Sequence, residues 1–293
     1  MVTEVTAKPA ADKRKKTEMV LANIYNLPAM SNIMMEVSKL LDDPSTNTNL
    51  LSKMIGKDQG LATKILSIAN SPLYGLPRKV STIDFAILII GYLDIKNIVI
   101  ALSMIESFKN KTDKNLNQTE FWLHSVISGN ASKRIASDLG FKIGGEAFVA
   151  GLLHDLGIPV IHKYFHTAFD NIVKNGSDCQ TMLNAEFEEL GLTHQEIGHF
   201  LSKKWNLPDE LGDAILFHHN PSKCESNPEL ASIIHVADYA TQKLQIGNFY
   251  WDREYTFDRN VIDILKLGTE EKLNELIESY TELFQQDTNN FKI

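Results

Sequence analysis

Residues 147–159, Ala-Phe-Val-Ala-Gly-Leu-Leu-His-Asp-Leu-Gly-Ile-Pro, set an imidazole beside a carboxylate at the end of an apolar run. The helical run is expected to break at Gly157 and Pro159, just past the His154–Asp155 pair. Burying both groups is costly unless they satisfy each other and nearby backbone, or hold a metal. All nine histidines lie at or beyond position 124, so the same half of the chain can complete such a site. His124 follows Glu120 by one helical turn in Glu-Phe-Trp-Leu-His-Ser. His194 opens His-Gln-Glu-Ile-Gly-His, and His218 and His219 stand together before Asn220-Pro221. Asp238 interrupts the apolar stretch Ile-Ile-His-Val-Ala-Asp-Tyr-Ala. Imidazole nitrogens with carboxylate oxygens suit iron, manganese, zinc or nickel, and helical bundles build metal sites from side chains on facing helices.

Each of these residues also has an ordinary reading. A pocket histidine taken alone is more often hydrogen-bonded than metallated; the joint order of the pieces is what points to metal. His162 and His166 share a helix face without carboxylate company and read as surface residues. His199 lies five residues past His194, about 140° around a helix, so it packs or caps rather than sharing a pocket. His235 shares a face with Asp238 and is placed to orient that carboxylate from behind. Trp122 and Trp205 read as core anchors, and residues 71–75 as a helix-ending loop before a phosphate cradle.

The elements that must position these groups read as helices throughout. Apolar residues at three-and-four spacing (Ile33, Met34, Val37, Leu40 and Leu41) predict a helix that ends at Asp42-Asp43-Pro44. Asn47 or Thr48, Asp58, and Ser81 or Thr82 can cap the helices that follow. Two further helices meet near Gly91, the second starting at Asp94 and running to about Phe108. Residues 109–118 are polar and mark the best boundary. Helices are then expected near 119–139, 145–156, 163–175, 178–190, 193–204, 208–218 and 229–245. An aromatic connector at 246–257 leads to two more, near 258–267 and 270–286. The fold class is all-α. The divisions are a flexible basic terminus at 1–20 with Lys-Arg-Lys-Lys at 13–16, an N-terminal helical part at 21–108, a metal-site subdomain at 119–245 and a C-terminal helical extension at 246–293.

The totals narrow the function classes. A net charge of −8 argues against broad nucleic-acid or acidic-membrane binding as the main activity. The two cysteines, Cys179 and Cys224, are far apart and read as thiols in a reducing compartment. The first twenty residues lack an apolar signal segment, and the most hydrophobic window, 85–105, carries Asp94, Lys96 and Asn97 at its centre, against a membrane span. The expected location is the cytoplasm.

The order His, His-Asp, His, His-His, Asp resembles the HD superfamily of metal-dependent phosphohydrolases. The chain resembles more closely its HDOD branch, the HD-related output domains of bacterial signalling proteins. The stretches that carry this are Leu-Pro-Ala-Met at 27–30, Asp-Gln-Gly-Leu-Ala-Thr-Lys-Ile-Leu at 58–66, Ala-Asn-Ser-Pro-Leu-Tyr-Gly at 69–75 and Phe-Trp-Leu-His-Ser at 121–125. Gly-Leu-Leu-His-Asp-Leu-Gly at 151–157, Trp-Asn-Leu-Pro at 205–208 and Ala-Ile-Leu-Phe-His-His at 214–219 complete them. The likeness runs from about residue 21 to about 245. It implies an HDOD-like helical bundle with a metal pocket in its second half. Carried over residue by residue, the implied ligands are His124, His154, Asp155, His194, His218, His219 and Asp238. That number of donors fits two divalent ions bridged by Asp155, with iron or manganese ahead of zinc or nickel. Glu120 resembles the extra carboxylate of the HD-GYP relatives that cleave cyclic di-GMP, although a Glu in a first helical turn is ordinary electrostatics.

Two departures bear on activity. Active HD-GYP enzymes carry a lysine after His-Asp-x-Gly, where this chain has Ile158. Their Gly-Tyr-Pro after the paired histidines is replaced by Asn-Pro-Ser-Lys. Cyclic di-GMP hydrolysis is therefore not expected. The reading that results is a regulatory signalling module that keeps its metal site and works through a protein partner. The alternative is a metal-dependent phosphohydrolase acting on a nucleotide or small phosphoester.

Overall fold

In a computed structural model of the protein, the described residues are 7–24, 36–37, 39–40, 43–107, 116–176, 179–247, 249, 251 and 256–291. Among them the structure is helical with no strand, as expected. The helices are α1 (Ala7–Ala22), α2 (Thr48–Ile55), α3 (Gln59–Ala69), α4 (Ile83–Ile90), α5 (Tyr92–Ser107) and α6 (Gln118–Asp138). They continue with α7 (Gly144–Leu153), α8 (Gly157–Tyr164), α9 (His166–Asn175), α10 (Cys179–Leu190), α11 (His194–Lys204) and α12 (Asp209–Phe217). Last come α13 (Pro228–Lys243), α14 (Val261–Ile264), α15 (Glu270–Ser279) and α16 (Thr281–Phe291), with single 3₁₀ turns at Pro72–Tyr74 and Pro221–Lys223. Of the helix expected before Pro44, residues 36–37 and 39–40 are described and helical, with Val37 buried; the rest of it and most of the polar boundary at 109–118 lie outside the described residues.

Local chemistry accounts for the helix starts. The side chains of Asn47, Asp58, Thr82 and Asn117 accept hydrogen bonds from first-turn backbone N–H groups of α2, α3, α4 and α6. Gly91, at φ +99°, makes the corner between α4 and α5 that a side chain would disfavour. The helix expected over 163–175 is instead two, because Phe165 leaves the helical region at φ −132°, ψ 49°. The final helix is likewise divided at Tyr280.

The basic terminus requires a correction. Residues 7–22 form α1, and the helix docks on the second half of the chain. The buried Thr17 hydroxyl donates to the Leu190 carbonyl at 2.8 Å, and Arg14 pairs with Glu196 at 2.9 Å. Lys204 donates to the carbonyls of Leu21 and Ala22, capping the C-terminal end of α1. Leu21 is fully buried, and that one apolar anchor outweighs the polar composition that suggested fraying.

One contiguous core runs from Leu21 to Phe284. The most extensive helix pairing among the described residues is between α6 and α7. A Cβ at Gly151 would stand 2.6 Å from the Ser132 hydroxyl and 2.7 Å from the Ser128 carbonyl, so the two backbones meet where only glycine fits. The apolar segment Gly144–Tyr164 is long and apolar enough to cross a membrane by composition, but most of it is buried inside the fold.

The C-terminal helices belong to this core. Tyr280 donates to Asp138 at 2.9 Å, and Asp287 accepts from Ser71 at 2.9 Å and from Asn130 at 3.5 Å. Residues 71–75 thus end α3 and hold α16. Burial raises the Asp287 carboxyl to about 7, against the two hydrogen bonds that pull it down. Its folded value lies above its unfolded one, so the native state holds the extra proton between about pH 4 and pH 7. Stability falls as pH rises through that window, and the cost of the buried charge is complete above it. Asp287→Asn is expected to stabilise the protein at pH 8 by about 2–4 kcal/mol and to change little at pH 4. Urea unfolding at the two pH values tests this, and an equal effect at both would exclude a titrating Asp287.

Candidate metal centre

The donors reach one place from five points in the chain. His124 projects from the second turn of α6, which Asn117 starts. His154 and Asp155 lie in the tight turn between α7 and α8, so the helix ends at Leu153, one turn before the expected break. Pro159 sits in the first turn of α8, where its missing N–H costs nothing. His194 is the first residue of α11, fixed there by a capping box between Thr193 and Glu196. His218 and His219 form the turn after α12, and Asp238 projects from the middle of α13. All seven are buried.

Asp155 stands at the centre. Its Oδ2 lies 3.5 Å from His124 Nε2 and 3.4 Å from His154 Nε2. Its Oδ1 lies 3.5 Å from His194 Nε2 and 3.7 Å from His218 Nε2. Asp238 Oδ1 joins the first group at 3.4 Å from His124 Nε2 and 3.9 Å from His154 Nε2. His219 Nε2 joins the second at 3.2 Å from His194 Nε2. The result is two lobes, one with His124, His154 and Asp238 and one with His194, His218 and His219, with one Asp155 oxygen facing each. His124, His154 and Asp155 form one group able to hold a metal ion, and His194, His218 and His219 another.

The donor chemistry fits a cation. Both Asp155 oxygens are buried with no hydrogen-bond donor, a costly arrangement unless a positive charge compensates it. Nε2 atoms face one another at 3.3 Å (His124 and His154) and 3.4 Å (His194 and His218), spacings at which ligands share an ion. Burial is the largest influence on Asp155 and disfavours its charge, yet the surrounding imidazoles His154, His124 and His194 outweigh it and hold the carboxyl well below the usual carboxylate range. Burial pushes His218 and His219 well below the ordinary histidine value, with neighbouring imidazoles adding to the effect. Those rings are neutral, the form that binds a metal.

The groups behind the donors fix their tautomers. His154 Nδ1 donates to the Gly151 carbonyl at 2.7 Å and His218 Nδ1 to the Ile215 carbonyl at 2.8 Å, leaving each Nε2 lone pair turned inward. His235 acts through His218: its Nδ1 donates to the His218 carbonyl at 2.7 Å, and its Nε2 accepts from Asp258 N–H at 2.9 Å. Burial lowers its pKa to about 4, so it stays neutral in this role. His235 is expected from the sequence behind the Asp238 carboxylate; these two hydrogen bonds run instead to the backbone of His218 and Asp258.

Glu186 was not legible among the candidates. It is fully buried on α10, and its carboxylate accepts from His194 Nδ1 at 2.9 Å, from His194 backbone N–H at 2.6 Å and from Trp251 Nε1 at 2.7 Å. A signal existed: Glu186 lies on the helical face of Met182 and Leu190, both buried, whereas its neighbour Phe187 is 47% exposed. His162 is corrected in the opposite sense. It is buried against Phe169, with ring centroids 4.8 Å apart, while His166 is exposed as expected. His199 lies outside both donor groups and packs on α12, its Nδ1 donating to the Gly212 carbonyl inside that helix at 2.9 Å. Glu120 lies half-buried in the first turn of α6, its N–H bonded to Asn117, and neither donor group includes it.

A helical bundle with buried histidines and aspartates gathered around one carboxylate is the architecture of HD-type domains. The HDOD domain family model matches residues 27–221, more than half of the chain, and the chain belongs to that family. The structure resembles an HDOD domain protein of unknown function from Geobacter sulfurreducens, with TM-score 0.73, 24% identity and coverage of 97% of this chain and 99% of that one. It also resembles a candidate signal transduction protein from Marinobacter aquaeolei VT8, with TM-score 0.69, 20% identity and coverage of 97% and 66%. A candidate phosphohydrolase from Shewanella amazonensis SB2B gives TM-score 0.68, 20% identity and coverage of 94% and 97%. At these identities the likeness concerns the fold. Among curated proteins, an uncharacterised protein of Treponema pallidum (strain Nichols) is 21% identical over 93% of this chain, which spans about half of that relative, 52% of its length.

Proposed function

We propose that this chain is a regulatory module of bacterial signalling whose HDOD domain holds a two-ion metal centre and acts through contacts with a protein partner. One ion would be held by His124, His154, Asp238 and Asp155, the other by His194, His218, His219 and the same Asp155. Iron or manganese suits this mixed nitrogen and carboxylate set. The observation that carries the reading is Asp155: a buried carboxylate without a hydrogen-bond donor, faced by four imidazole nitrogens at 3.4–3.7 Å. A bound divalent ion would supply the missing positive charge and Lewis acidity. The protein's own part is to keep His218 and His219 neutral, turn the Nε2 atoms of His154 and His218 inward and bury the cluster.

Ile158 supports regulation over hydrolysis. It is fully buried, and it occupies the place where the active HD-GYP relatives carry lysine. Lys163, the nearest lysine along α8, lies over the Tyr164 ring with its ammonium 5.8 Å from the centroid. The second reading, a phosphohydrolase for a nucleotide or small phosphoester, is favoured by the seven converging donors, since a structural ion needs about four.

The test is anaerobic purification, metal quantification, and assay of cyclic dinucleotides, nucleotides and a chromogenic phosphodiester with iron or manganese. The expected result is at least about one ion per chain and no turnover. Turnover that disappears in Asp155→Ala would replace the regulatory reading with the hydrolytic one. Metal-free protein would remove the centre itself.

A further inference from the structure

The two lobes are not built alike. In one of them, His194 is held from behind by a full carboxylate. Glu186 lies within 2.9 and 3.0 Å of His194 Nδ1 through its two oxygens, so Nδ1 carries the hydrogen and Nε2 turns its lone pair to Asp155 and His219. Glu186 is itself clamped by two more donors, the His194 backbone N–H and the Trp251 indole. His218, in the same lobe, is tied through its ring to Ile215 and through its carbonyl to His235. In the other lobe His154 leans on a neutral carbonyl, that of Gly151. His124 is positioned by stacking on Phe249, with ring centroids 5.1 Å apart and planes 27° from parallel.

A carboxylate behind an imidazole makes the ring a stronger donor and fixes its direction before the ion arrives, whereas a stacked ring keeps freedom that binding must remove. Resting on the metal-centre reading above, we infer that the lobes fill unequally, with the His194, His218 and His219 lobe taking its ion first and Glu186 acting as its positioning residue. Trp251 acts one step further out, by orienting Glu186. Trp251, in the connector at 246–257, therefore contributes to metal affinity without being a ligand itself.

The experiment is a titration of chelator-stripped full-length protein with manganese(II), reading free ion by electron paramagnetic resonance. Wild type is expected to bind in two steps at least about tenfold apart. Glu186→Gln should weaken the tighter step about 10–100-fold and leave the other within about threefold, so that the two merge. His219→Ala should abolish the tighter step, and His124→Ala the weaker one. Circular-dichroism melts of the stripped proteins show whether a variant folds. If Glu186→Gln does not, Trp251→Phe removes only the indole donor and should weaken the same step by about threefold. Two equal steps in wild type, or a Glu186→Gln effect spread evenly over both, would overturn the inference. No manganese binding by wild type would overturn the metal-centre reading beneath it, a distinguishable result.

Discussion

Asp155→Asn is expected to strip metal from both lobes at once. The substitution keeps the shape of the side chain and removes the negative charge that faces His124 and His154 on one side and His194 and His218 on the other. Loss of a hydrogen-bonding group behind a ligand costs 10–100-fold in metal affinity, so loss of a charge shared by both ions should cost on the order of a hundredfold or more for each. Replacing a donor confined to one lobe, as in His219→Ala, should leave the other ion in place. Elemental analysis of the two variants after identical purification separates the cases. A full metal complement in Asp155→Asn would mean that the lobes do not depend on a shared carboxylate. The fold of the variant should survive, because an amide in that position is cheaper to bury than an uncompensated carboxylate.

Gly157→Ala should have the larger effect on stability. The added methyl would collide with the backbone carbonyl of His194, and a carbonyl fixed in the first turn of α11 cannot step aside as a side-chain tip can. The contact brings the start of α8 against the start of α11, which sets His154 and Asp155 at their distance from His194. Overpacking of this kind costs about 3 kcal/mol or more, which for a chain of this size lowers the melting temperature by about 6–12 °C. Relief of the clash by parting the two helices would also open the cluster, so metal content should fall together with stability. A melting temperature within a degree or so of wild type would show that the helices separate freely.

How much of this could be seen in the sequence depended on what kind of physics placed each residue. The buried histidines and aspartates were legible as candidates because such groups in apolar runs are rare and expensive, while the full set followed only from the resemblance of their order to the HD pattern. The caps at Asn47, Asp58 and Thr82 were legible because they are local chemistry between residues three apart. Glu186 was not, because in Ala-Glu-Phe-Glu-Glu three carboxylates look equivalent. The face it shares with Met182 and Leu190 was the signal against that, and hydrogen bonds from His194 and Trp251 hold Glu186 inward while Phe187 stays in solvent. His162 was misjudged for a related reason: a histidine on a helix with no charged company looks exposed until Phe169 from the next helix closes over it. Helix α1 was missed because its docking rests on partners about 170–180 residues away, Leu190 and Glu196 among them. In each miss a contact made by another element of the fold overruled local composition.

The arrangement of the donors along the chain has a mechanical consequence. They run from His124 to Asp238, 114 positions apart by subtraction, and no two consecutive contributors apart from the adjacent pairs lie on the same helix. An ion gripping both ends of that span would be a cross-link, closing a long loop that the unfolded chain otherwise leaves open. For a covalent bridge over about 100 residues the chain-entropy contribution is about 4–5 kcal/mol. A chelator would then do to this fold what a reductant does to a disulfide-bonded one. It would leave the apolar packing intact and give the denatured chain back its freedom.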